Sequence, residues 1–199
     1  SHQTLEEIVS VMLDRVRSDL IVERLHSGDL TLYSAITEQV NVLRAADIPV
    51  ELVPGIGAFQ AAAATLQIEL TIPEIVQTII LTRPTGRASA VPTAEDLASL
   101  AAHRSSLCLY LAARHVETAQ AKLLEHYPPE TPVAICFRVG WEDERIWVVP
   151  LTEMASVTAR ENLVRTTMYI ISPALTETNG DGNRTRTDLR LQQRSRLYH

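Results

Sequence analysis

Three short stretches carry small residues where a strand would hand over to a loop. They are Ser27-Gly28-Asp29, Pro54-Gly55-Ile56-Gly57-Ala58 and Leu111-Ala112-Ala113. In an open α/β sheet, ligands sit in the crevice beyond the carboxyl ends of the strands. A glycine there lets the backbone approach a ligand with no Cβ in between. An acid such as Asp29 can accept from a hydroxyl or cap the turn that follows it. Each stretch taken alone is equally an ordinary turn. No catalytic triad, metal cluster or paired carboxylate accompanies them. The two cysteines, Cys108 and Cys136, lie inside apolar runs with no C-x-x-C or H-x-x-x-H spacing, which reads as buried reduced thiols in a cytosolic protein and no metal.

The elements that must position these residues follow from periodicity. Thr4-Leu5-Glu6-Glu7 is a capping box, and Ile8, Val11, Met12 and Val16 follow at helical spacing. Residues 20–25 and 50–53 read as strands, and 31–46 as a helix ended before Pro49. A small-residue helix covers 58–66. Strands are expected at 77–82, 106–111, 132–139, 145–149 and 166–172, and helices at 94–103, 115–127 and 151–163. This alternation implies an α/β fold with a largely parallel sheet. A boundary near Thr71-Ile72-Pro73 gives an N-terminal α/β domain over 1–72 and a C-terminal one over 73–175. Residues 176–199 form a polar, Arg-rich tail of disordered character. The chain of 199 residues has a net charge of -6, which gives no footing for nucleic acid or an anionic membrane, and no apolar run reaches membrane-spanning length.

Read in order, the motifs resemble one family. "RLHSGDLTLYSA" (24–35), "VPGIGA" (53–58), "LTIPE" (70–74) and "LTR" (81–83) match the pattern of the tetrapyrrole methylase family. "DLASLAAH", "LCLYL" and "PPETPVAICFRVGWEDER" extend the match, so that it covers roughly residues 4–175. The nearest branch methylates C-11 of precorrin-4 or cobalt-precorrin-4 in corrin-ring biosynthesis.

The resemblance implies two α/β domains, a cytoplasmic homodimer, and S-adenosyl-L-methionine as methyl donor in a cleft between the domains. Carried over by position, the donor contacts are Ser27, Gly28, Asp29, Gly57, Ala58, Leu111 and Val139, with Thr82 and Arg83 ending a strand nearby. The implied acceptor is a tetrapyrrole bearing several carboxylates, for which Arg83, Arg87, Arg114 and Arg138 are the candidate cations. A sulfonium methyl is already activated, so transfer to an electron-rich carbon needs in-line placement more than an acid or base.

Some positions depart from the family pattern. Relatives open with a strand and a Gly-x-Gly-Pro-Gly-Asp loop, and nothing before Thr4 corresponds. The first domain is therefore expected to be N-terminally truncated. Leu30 stands where relatives carry proline, which leaves the Gly28-Asp29 turn freer. Ser34 replaces a glycine, Gly57-Ala58 a hydroxyl-bearing pair, and Val139-Gly140 an Ala-Thr pair. A methyltransferase of corrin biosynthesis is the leading reading. A non-catalytic or fragmentary relative that binds tetrapyrrole or a partner subunit is the alternative. A plain nucleotide-binding domain would need a Gly-rich phosphate loop that the sequence does not show.

Overall fold

A computed structural model of the protein describes residues 4–85 and 91–177, together with 183–185; for 177 and 183–185 it describes the backbone alone. The chain divides into two compact units, Ser1–Ala58 and Phe59–His199. The expected division at 72/73 differs from this because Ala62, Ala63 and Leu70 are buried in the core of the second unit.

In the first unit, α1 (Leu5–Val16) begins with the expected capping box. Thr4 N–H donates to Glu7 Oε2 at 2.9 Å, and Glu7 N–H donates to Thr4 Oγ1 at 3.2 Å. Its apolar face, Val9 and Met12, packs on Leu43 of α2 (Ile36–Ala45), with Val22, Ile48 and Val50 at the margin. Two expectations fail here. Residues 31–35 do not join α2, because Tyr33 and Ala35 adopt left-handed backbone (φ 56° and 53°) that no α-helix accommodates. Residues 20–25 and 50–53 form no strand, since a strand exists only through a neighbour's hydrogen bonds and none lies alongside them among the described residues. Ile21 is 96% exposed and Leu25 88%, where a buried strand was expected.

Among the described residues the second unit holds all the strands, so the α/β class rests on it. The strands are β1 (Ile79–Thr82), β2 (Ser106–Leu109), β3 (Pro132–Phe137), β4 (Arg145–Pro150), β5 (Thr167–Ile171) and β6 (Asn183–Thr185), in sheet order β1-β2-β5-β3-β4-β6. Only β1 and β2 pair in parallel; every other neighbouring pair is antiparallel. This corrects the largely parallel sheet. β3 and β4 form a hairpin, and β5 returns between β2 and β3.

Alternate residues feed two cores. Leu107, Leu109, Val133, Ile135, Tyr169 and Ile171 face α4 (Leu97–Ala101), α5 (Val116–Leu124) and α6 (Met154–Arg160). Cys108, Ala134, Cys136, Met168 and Ile170 face Ala62 and Ala63 of α3 (Ala58–Leu66). With both faces covered, β2 and β5 are buried along their whole lengths and mostly apolar.

The helices are shorter than their sequence patterns. Residues 93–95 and 151–153 are single 3₁₀ turns that lead into α4 and α6. The cap of α4 is Asp96, which accepts from Ala98 N–H at 3.1 Å, in place of Thr93. Most of the 176–199 tail lies outside the described residues, and its residues 183–185 form the edge strand β6.

Candidate functional site

In the first unit the two glycine-bearing stretches meet. Asp29 Oδ2 accepts from Gly55 N–H at 2.9 Å, and its Oδ1 accepts from Thr31 N–H at 2.8 Å and from the Thr31 hydroxyl. A Cβ on Gly55 would overlap the Gly28 carbonyl oxygen and lie 3.1 Å from its carbon. Gly55 is therefore demanded by space. Gly28 is demanded by conformation (φ 72°), and its Cα faces Ile56 O and Ala58 N, at 3.6 and 3.8 Å from an added Cβ. Ser27-Gly28-Asp29 thus lies against 55–58.

The turn has its own substitute for the missing proline. Besides the Asp29–Thr31 bonds, the Ser34 hydroxyl donates to Leu30 O, so the loop expected to be freer is tied by side chains. The Thr31 hydroxyl above all, then the Gly55 and Thr31 amides, hold the Asp29 carboxyl below its ordinary 3.8. Gln39, buried within α2, donates from Nε2 to Ser34 O and Ala35 O at 3.4 and 3.3 Å, while its Oε1 has no partner.

In the second unit, topology sorts the remaining candidates. β1 and β2 run in parallel, and β3 opposes β5, which opposes β2. The carboxyl ends of β1, β2 and β3 therefore share one edge of the sheet. Along it lie Thr82-Arg83, Leu111 to Arg114, and Arg138-Val139.

The backbone of this edge is unusual. Leu111, Arg138 and Thr166 are all left-handed, at φ 56°, 50° and 55°. Such residues cost about 1–3 kcal/mol each and gather at functional sites. Leu111 is also 66% exposed. Among the described residues, no hydrogen bond engages the N–H or C=O of Leu111 or Val139. These are the two second-unit positions assigned to the methyl donor, and each can offer a ligand one donor and one acceptor.

The arginines divide. Arg83 lines a pocket of about 70 Å³ with His115 and the Lys122–Asp96 ion pair, and its guanidinium donates to Pro84 O at 3.3 Å. Arg114 lines a larger hollow of about 330 Å³ between the start of α5 and α6, beside Thr158 and Asn162. Arg138 is turned into its own hairpin, paired with Asp143 and lying 4.5 Å from the Trp141 ring centroid. Arg87 lies outside the described residues. Among those residues no group of His, Cys, Asp and Glu is arranged to hold a metal, and no helix is long and apolar enough to cross a membrane. Sequence reasoning missed the β3–β4 hairpin tip, where Trp141 is 53% exposed and Glu144 is buried. Gly140 was its only visible signal.

Comparison with known proteins gives this geometry a lineage. The profile of the tetrapyrrole (corrin/porphyrin) methylases matches residues 1–155. The chain is 38% identical over 176 residues to a cobalt-precorrin-4 C(11)-methyltransferase of Methanocaldococcus jannaschii, covering 88% of this chain and 68% of that protein. It is 41% identical over 174 residues to a precorrin-4 C(11)-methyltransferase of Mycobacterium tuberculosis, covering 87% and 69%. The fold superposes on the X-ray structure of a cobalt-precorrin-4 methyltransferase with a TM-score of 0.83 at 34% identity, over 88% of this chain and 73% of that one. With the profile spanning most of its length and such relatives alongside, the chain belongs to the tetrapyrrole methylase family, whose members are S-adenosyl-L-methionine-dependent methyltransferases.

Proposed function

We infer that the protein transfers a methyl group from S-adenosyl-L-methionine to C-11 of precorrin-4 or its cobalt counterpart, a step of corrin-ring biosynthesis. The observation that carries the reading is the sheet edge where, among the described residues, Leu111 and Val139 keep their backbone N–H and C=O groups unbonded. Backbone groups of this kind recognise a nucleoside and an amino acid without side-chain chemistry. When bound, the donor supplies a sulfonium methyl: the ring carbon's electron pair takes it, the C–S bond breaks onto sulfur, and S-adenosylhomocysteine remains.

The chain's own residues orient and hold. Ser27, Gly28, Asp29, Gly57 and Ala58 supply close-approaching backbone in the first unit, with Asp29 bracing the turn through Gly55. Arg83 and Arg114 offer guanidinium groups to the acceptor's carboxylates, and Arg87 is assigned the same task from its sequence position. Arg138, already paired with Asp143, must exchange that carboxylate for a substrate's if it is to bind one. Alignment of the reacting atoms is the main means of acceleration in such a site.

Calorimetry with S-adenosylhomocysteine, followed by incubation with precorrin-4 and S-adenosyl-L-methionine, tests the reading. Micromolar binding and a mass gain of one methyl group are expected. Binding of a tetrapyrrole with no response to S-adenosylhomocysteine would instead identify a non-catalytic relative. We further infer a homodimer in the cytoplasm, supported by the exposed Ile21 and Leu25 and by the two buried free thiols. Light scattering of the purified chain checks the dimer.

A further inference from the structure

Glu144 is 6% exposed in the hairpin between β3 and β4. A carboxylate so buried is costly unless a donor meets it. The Gly140 N–H does so, at 2.6 Å from Glu144 Oε2. Two left-handed residues, Arg138 (φ 50°) and Gly140 (φ 85°), bracket Val139. The Arg138 side of this bracket is tied by the backbone: its N–H donates to Thr166 O at 2.9 Å, and its C=O accepts from Trp141 N–H at 3.0 Å. The Gly140 side is tied, among the described residues, by Glu144 alone. A Cβ on Gly140 would meet nothing within 4 Å, so packing does not hold it.

We propose that Glu144 is a positioning residue for the methyl donor. By holding the Gly140 amide it fixes the Val139–Gly140 peptide, and with it the direction of the Val139 C=O, while the backbone bonds of Arg138 hold the peptide that carries the Val139 N–H. This rests on the reading above that Val139 contacts the donor.

Calorimetry with S-adenosylhomocysteine on the whole chain tests the proposal, together with KM for S-adenosyl-L-methionine and kcat. Glu144→Gln keeps an acceptor oxygen in place and should bind within about threefold of the unsubstituted chain. Glu144→Ala should weaken binding about tenfold or more, as expected for loss of a charge-assisted bond. KM for the donor should rise in step, while KM for the tetrapyrrole stays unchanged. Glu144→Asp, one methylene short of Gly140, should also weaken binding, and decides against Glu144→Gln if the alanine variant does not fold. A lower melting temperature with an unmoved dissociation constant would make Glu144 merely structural and overturn the proposal. So would a glutamine variant as weak as the alanine variant. Failure of the unsubstituted chain to bind S-adenosylhomocysteine overturns the methyl-donor reading itself, and this inference with it.

Discussion

Replacing Gly55 with alanine puts one methyl group where the first unit has no room. The new Cβ would overlap the Gly28 carbonyl oxygen, lie 3.1 Å from the Gly28 carbonyl carbon and 3.4 Å from Asp29 Cα. All three are backbone atoms, so no side chain can rotate away. One of the two strands of chain must retreat, and the Gly55 N–H to Asp29 Oδ2 bond, 2.9 Å long, goes with it. Overpacking of this kind costs about 1–3 kcal/mol. The bond, made by a carboxylate open to solvent, adds little to this. A total of roughly 1–3 kcal/mol corresponds to a fall in melting temperature of roughly 2–12 °C for a chain of this length. Thermal melts by circular dichroism read the stability, and calorimetry with S-adenosylhomocysteine reads the turn. Gly140→Ala is the control for the melts alone: its Cβ meets nothing, so it carries only the left-handed penalty of about 1–2 kcal/mol. A Gly55→Ala protein that melts within a degree of the unsubstituted chain and binds as well would refute the close approach of 28–29 to 55.

Three further outcomes are expected. The Asp29 carboxyl is held below 3.8 in the folded state, so its contribution to stability is complete above that pH and is lost as pH falls through the lower folded value; Asp29→Asn should flatten the acid limb below pH 3.8 in urea midpoints measured from pH 5 to 2. Burial pushes the Cys108 thiol up to about 12 and raises Cys136 further, so neither should react with a thiol reagent at pH 8 until the protein is denatured; labelling in the native state would contradict the packing of both cysteines in the sheet. Lys122→Met removes a partly exposed ion pair with Asp96 and should cost under about 1 kcal/mol, whereas Asp96→Ala also strips the cap of α4 and should cost about 1 kcal/mol more, as read from urea unfolding.

The amino-acid order by itself determined the capping box on α1, the apolar stretches that became β1 to β5, and the ordered motifs that mark the family. These depend on neighbours in sequence: a capping box spans four residues, and a strand with both faces covered has to be mostly apolar. Tertiary structure alone decided which strands run together. Hydrophobic pattern is blind to strand direction, so the sheet read as parallel until the β3–β4 hairpin and the returning β5 set it otherwise. It also decided that 20–25 and 50–53 form no strand, because their apolar residues can join a sheet only where a neighbouring ladder meets them. At the site, sequence located Leu111, Val139 and the glycines, yet could not show that Leu111, Arg138 and Thr166 turn left-handed along a common edge. Such a conformation is not written in ordinary side chains and shows only in the folded backbone, where, among the described residues, the backbone groups of Leu111 and Val139 stand unbonded at the end of the sheet.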